Sequence, residues 1–264
     1  MDVPETVTTA LADRPVTRRV CLEAGAGVGN TTAGLLAAGA SHVYAVTNDR
    51  DHATIVRERI QDDAERGDGD DTDRVDGDVA DRTAVLEADV RSLPLATDSI
   101  ELITAHGLFN VLPPASLEPV AAELTRVAAP GCHLVVDDYE PLPDDAAVRE
   151  LFALENAATE LAAGRPALTF YPAAVLRRLF VGYGWQFDRT RTLLDPVPWT
   201  ASHLEAHADL ARTAASEAPS ELGEPLSAAA DDLATAIGEE AVGEMYSLAL
   251  QLPIQLDPSP YSSH

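Results

Sequence analysis

The sequence predicts an α/β protein with a doubly wound, mostly parallel, seven-stranded sheet and a helical cap. Three observations carry that expectation. Short apolar, β-branched runs alternate with Ala- and Leu-rich helical stretches, the order that a parallel sheet covered on both faces requires. The first run ends in a glycine-rich turn that opens a helix. A long Ala- and acid-rich helical stretch interrupts the alternation just before the last strand.

Taken in order, residues 1–19 read as a short helix over 4–12 and a polar connector. The core follows over 20–195. Strand 19–23 leads through the turn into helix 29–39, and strand 41–46 into helix 50–66. The stretch 67–81 is crowded with Asp and Gly, has too little apolar content to pack, and reads as a solvated acidic loop. Strands 84–88 and 100–105 come next. Helix 116–129 is stopped by Pro130-Gly131 ahead of strand 132–137. Helix 144–163 has Asp144 as a candidate N-cap, and helix 172–181 is opened by Pro172. Gly182-Tyr183-Gly184 separates it from strand 185–193, after which Pro196 and Pro198 break the chain. Residues 196–243 form the helical insert, 244–256 hold the last strand, and 257–264 are a tail.

The chain has 264 residues, 46% of them hydrophobic, which is enough to bury a large core without disulfides or a structural metal. Cys21 and Cys132 fall in expected buried strands and read as small core residues. No stretch is long and apolar enough to span a bilayer, and the N-terminus lacks the basic and apolar regions of a signal peptide. Cytoplasmic placement is therefore expected. Charge is the outlying property: 44 acidic residues face 18 basic ones, for a net charge of -26, and every basic residue is arginine. Such a balance resembles proteins of halophiles, since at about 1 M salt the Debye length shrinks to about 3 Å and self-repulsion is screened. The charge is read as adaptation to solvent, not as a sign of a cationic partner.

The turn carries the function. Val20-Cys21-Leu22-Glu23-Ala24-Gly25-Ala26-Gly27-Val28-Gly29-Asn30 is a strand with an acid near its end, then G-x-G-x-G into a helix. Glycine permits the sharp turn and close backbone approach, and the helix start offers free N–H groups and a positive dipole end. The dinucleotide fingerprint wants its third glycine where Asn30 stands. An acid two residues before the first glycine suits S-adenosylmethionine better, because its carboxylate can reach the ammonium of the ligand's methionine part.

With these residues the chain resembles the class I S-adenosylmethionine-dependent methyltransferases, over about residues 18–195 and the final strand. Within that superfamily it is most similar to small-molecule enzymes around the quinone-biosynthesis C-methyltransferases. The resemblance implies the Rossmann-like methyltransferase fold and S-adenosylmethionine as cofactor, with S-adenosylhomocysteine as product. It places the methionine part of the cofactor on Glu23, Gly25, Ala26, Gly27 and Gly29. It expects a ribose-binding acid at the end of the second strand, where this chain has Thr47. Ribose contacts then shift to Asn48 or Asp49, unless Asp49 merely caps the next helix. Asp89 and Val90 match the adenine site, with Asp89 read alternatively as a turn residue. Arg126 to Gly131 echoes another family stretch, read here as a helix stop.

Ala105, His106 and Gly107 end the fourth strand, where the resemblance puts the transferred methyl group. No Asn/Asp-Pro-Pro-aromatic motif stands there, which argues against amine methylation of adenine or glutamine amides. His106 is a candidate general base or a pocket wall. Asp138 and Tyr139, beside Asp137 at the end of strand five, are candidates for orienting the acceptor. No metal site is expected, and His203 and His207, four apart on a helix, read as a solvent-facing pair. The insert and helix 144–163, with residues 1–19, are expected to form a lid that selects a small-molecule acceptor. Without a basic, aromatic-lined stripe, nucleic acid is not the expected partner, although an RNA methyltransferase is one alternative. A non-catalytic or regulatory protein keeping the fold is another, and a nicotinamide oxidoreductase is disfavoured by Glu23 and Asn30.

Overall fold

The computed structural model describes residues 3–66 and 79–254, with the side chains of 63–66 left aside. Most of the expected acidic loop, and the tail, lie outside these residues. The core elements are α1 (Glu5–Leu11), β1 (Val20–Ala24), α2 (Asn30–Ala37), β2 (His42–Thr47), α3 (Arg50–Arg66), β3 (Thr83–Glu87) and β4 (Ile100–His106). They continue with a single 3-10 turn (Phe109–Val111), α4 (Pro114–Val127), β5 (Ala128–Tyr139), α5 (Val148–Ala163), α6 (Ala173–Gly182) and β6 (Gln186–Leu194). The insert comprises β7 (Pro198–Trp199), α7 (Ala201–Glu217), α8 (Ser220–Ile237) and β8 (Glu240–Ala241), and β9 (Met245–Gln251) closes the sheet.

Seven strands form one sheet in the order β3-β2-β1-β4-β5-β9-β6, and β7 pairs with β8 in a small second sheet. Every central pairing is parallel except those of β9, which runs antiparallel to both β5 and β6. Two reversals restore direction, so β6 is parallel to β5 and ends at the same edge. The expected doubly wound sheet with helices on both faces is what the chain forms.

Alternation along the strands divides the core. Leu22, Ile103, Leu134, Val136 and Leu248 face α4 and α6 in one large cluster. Cys21, Val43 and Leu102 face the other way, against Leu35 and Leu36 of α2 and Val7 and Leu11 of α1. Both cysteines are buried and free, as small core residues. Glu101 fixes the entry to β1, accepting from the Val20 N–H at 2.9 Å and from Arg19 at 2.8 Å.

Several local expectations differ from what forms. α4 stops at Val127, because Ala128 already pairs with Ile100 and β5 begins there, before Pro130-Gly131. The Arg126 stretch also does more than end a helix: its guanidinium donates to the carbonyls of Leu93 and Leu95, anchoring the segment before β4. Asp144 caps no helix; it pairs with Arg149. The first N–H groups of α5, from Ala147 and Val148, are instead accepted by Glu240 of β8, at 3.1 and 2.8 Å. Pro172 precedes α6 as its N-cap and does not open it. α1 is not part of a lid, since it packs on α2 and the sheet.

α5, α7 and α8 build a cap with a core of its own, including Val148, Leu151, Phe152, Leu204, Ala211 and Ala230. Tyr139, Leu194 and Met245 join that cluster from the sheet edge. Trp199 sits at the junction, its indole N–H donating to the Val242 carbonyl at 3.1 Å.

Candidate active site

The site is assembled where β1, β4 and β5 end. In-register neighbours of a parallel sheet point to the same face, and Glu23 pairs with Thr104, His106 with Asp137. Glu23, His106, Asp137 and Tyr139 therefore share the face covered by α2. Ala105 and Asp138 point to the opposite face, into the α4 and α6 core.

After Glu23 the chain turns through Gly25, Gly27 and Gly29, all with positive φ (80°, 48° and 81°). The N–H groups of Gly25 and Ala26 both donate to the Val46 carbonyl, at 2.9 and 2.8 Å, tying the turn to β2. A Cβ at Gly25 would lie 3.0 Å from Leu108, whereas one at Gly27 would meet nothing. The turn is thus tight at its first glycine and open at its second. Arg59 of α3 donates to the Val28 carbonyl (2.5 Å) and to Asn30 (2.9 Å), bracing the turn from outside. Sequence reading missed that brace.

Glu23 is 2% exposed and accepts a short hydrogen bond from the Thr32 hydroxyl. Burial pushes its carboxyl up to about 7, against hydrogen bonds from Thr32 and Thr31 and the charge of His106. A buried carboxyl whose ionisation is opposed by burial gains from any cation placed beside it.

His106 donates from Nδ1 to Asp137 Oδ2 at 3.2 Å. Burial opposes protonation of its ring, but the Asp137 carboxylate, joined by Glu23 and Asp138, prevails and raises the imidazole above its ordinary value. Asp137 is buried, and its Oδ1 has no partner among the described residues. Register alone could have paired Asp137 with His106, because both end adjacent parallel strands.

Asp138 is not brought together with His106. Its two oxygens accept the N–H groups of Tyr139 (2.9 Å) and Asn110 (3.0 Å), fixing the turn after β4 to the end of β5. Burial raises its carboxyl to about 6. Asn110, also overlooked in the sequence, is held further by the Thr169 N–H on its carbonyl (2.6 Å), and its own buried Oδ1 has no partner among the described residues. Tyr139 contacts Phe170 and Trp199, with ring centroids 6.1 and 5.3 Å away, forming an aromatic wall toward the cap.

At the end of β2, the Thr47 hydroxyl accepts the Asp49 N–H at 3.1 Å. Asp49 Oδ1 accepts from Asp51 (2.8 Å) and His52 (2.9 Å), which caps α3 and holds its carboxyl below the usual range. Asn48 is exposed. After β3, Asp89 grips Arg91 through both oxygens and accepts its N–H, while Val90 is half-buried. Among the described residues no three His, Cys, Asp or Glu side chains group to hold a metal. His207 corrects the solvent-facing reading: it is bonded to buried Glu155 at 2.7 Å and packs on Phe152. His203 is exposed, in the capping box of α7.

Residues 22–136 match a family described as the methyltransferase domain. That match covers less than half of the chain, which is similar to a methyltransferase domain over those residues. Similar solved structures share its fold. A protein described as a sarcosine dimethylglycine methyltransferase from Galdieria sulphuraria aligns with a TM-score of 0.59 at 14% identity, covering 96% of this chain and 86% of the other. A protein described as a methyltransferase from Bacillus halodurans gives 0.59 at 13%, covering 94% and 98%. A mycolic acid cyclopropane synthase solved with S-adenosylhomocysteine gives 0.56 at 14%, covering 93% and 82%. No curated protein matches the sequence. Among the described residues no helix is long and apolar enough to cross a membrane.

Proposed function

We propose that this protein is a methyltransferase that moves a methyl group from S-adenosylmethionine to a small organic acceptor. One observation carries the cofactor: the buried Glu23 carboxyl beneath a turn that has open space at Gly27. The residues present fit the group. Glu23 would take the ammonium, and Gly25 to Gly29 would let the backbone approach the methionine part. The α2 N-terminus, with no side-chain cap, would face its carboxylate. Asp49 and Asp89 are the acids nearest the expected ribose and adenine positions, though each already serves its own turn. When bound, the cofactor supplies an electrophilic methyl carbon, so the protein's task is to position an acceptor and exclude water.

Support for a small acceptor comes from the cap. Because β6 ends at the site edge, the insert that follows emerges beside it, and its aromatic junction with Tyr139 narrows the approach. One fold neighbour is named for sarcosine and dimethylglycine, which are small molecules. The cytoplasmic setting and the saline adaptation belong to the same proposal. Titration calorimetry in molar KCl with S-adenosylmethionine, S-adenosylhomocysteine and NADH is the test. Binding of the first two and not the third is expected. Preference for NADH, or silence toward all three, would overturn the reading.

A further inference from the structure

We propose that His106 and Asp137 form a proton-accepting dyad beside the transferred methyl group, and that the acceptor is a neutral molecule with an ionisable O–H, N–H or C–H. The inference rests on the cofactor reading above and deepens it. Asp137 is almost wholly buried and orients the ring through Nδ1, leaving Nε2 without a hydrogen bond among the described residues. The His106 side chain keeps 27% of its surface exposed, so the ring can be reached from outside the core. Glu23, which would hold the ammonium, lies on the adjacent strand and the same face, close enough for its charge to act on His106.

The surroundings define the acceptor's charge. The acidic groups acting on His106 are Glu23 from β1 and Asp137 and Asp138 from β5. Glu23 and Asp137 on this face, with Asp138 behind it, disfavour an anionic acceptor. Tyr139, two residues past Asp137 on the same face, adds the aromatic wall with Phe170 and Trp199. The step then balances: the acceptor gives its proton to Nε2 and forms its new bond to the methyl carbon. The carbon–sulfur bond breaks with its electron pair remaining on sulfur. The positive charge that leaves sulfur ends on the imidazolium, which returns its proton to water.

Histidine-labelled protein titrated by NMR in molar KCl tests the placement, with His106→Gln assigning the resonance. S-adenosylmethionine and S-adenosylhomocysteine differ by one methyl and one positive charge. The His106 pKa should therefore be lower with the former by about one pH unit, the scale of a neighbouring unit charge. In the free protein Asp137→Asn should lower it too. Equal values within about 0.2 in the two complexes would overturn the placement, 0.2 being well below that scale. Failure of either compound to perturb any resonance is a different result, overturning the cofactor reading itself. Tritiated methyl transfer to a panel of neutral phenols, primary aromatic amines, 1,3-dicarbonyl carbon acids, thioethers and tertiary aromatic amines tests the acceptor. Labelling of a phenol, primary amine or carbon acid, reduced about 100-fold or more in His106→Gln, is expected. Labelling of thioethers or tertiary amines alone, of none of the panel, or undiminished turnover in His106→Gln would overturn the base assignment.

Discussion

Glu23 is where function works against stability. Its folded pKa of about 7 lies above its ordinary 4.5, so the fold prefers the protonated form. Its contribution to stability is therefore fully present below about pH 4.5 and is lost as pH rises through about 7. Glu23→Gln should make the ligand-free protein more stable at alkaline pH, by up to about 3 kcal/mol, with the gain vanishing in acid. Denaturant titration of both proteins across that range measures it. In the proposed cofactor site the same ionisation would govern the ligand, so affinity for S-adenosylhomocysteine should fall below pH 7, by at most about tenfold per unit. The glycines should separate in kind. Gly25→Ala strains φ and presses on Leu108, so it should lose roughly 1–3 kcal/mol of stability. Gly27→Ala has room and should lose only about 1 kcal/mol while still impairing binding, which melting and calorimetry together resolve. At this scale the sequence displayed the turn because its chemistry is contiguous. It did not display Asp137 beside His106, Arg59 against the turn, or Glu155 beneath His207, since those partners are brought together only by sheet register and helix packing.

Among the elements, strand ends do the positioning. Edges of β1, β4 and β5 deliver Glu23, His106 and Asp137 to one face, and β6 delivers the insert to the same edge. The cap has its own hydrophobic cluster, so it should open as a unit apart from the sheet. Phe152→Ala removes a ring that touches Phe170, Trp199 and His207. It should destabilise the cap by about 3–5 kcal/mol and speed hydrogen exchange in α5, α7 and α8 while leaving α2 and α4 protected. Uniform acceleration across the molecule would show that cap and sheet unfold together. Most element boundaries were legible from alternation and from proline and glycine punctuation. The start of α5 was not, because its cap, Glu240, arrives from the far end of the insert, about 90 residues away in sequence.

For the whole molecule, the alternation of strands and helices contained enough to expect the doubly wound sheet, and β9 alone reverses direction within it. The net charge of -26 adds a dependence on solvent that no single contact reports. Self-repulsion acts over about 10 Å at 0.1 M salt and about 3 Å at 1 M. The melting temperature should therefore climb steeply with KCl; the same value in dilute and molar salt would refute the reading of charge as solvent adaptation. Ligand work belongs in molar KCl for this reason. There, calorimetry of S-adenosylhomocysteine on the native protein and on Glu23→Gln bears most directly on how the turn works. The native protein should bind, and the variant, folded and at least as stable, should bind about 30-fold more weakly, the loss expected when a charged hydrogen-bond partner is removed. Equal affinity for both proteins would contradict the role assigned to Glu23, and no binding to either would contradict the cofactor site altogether.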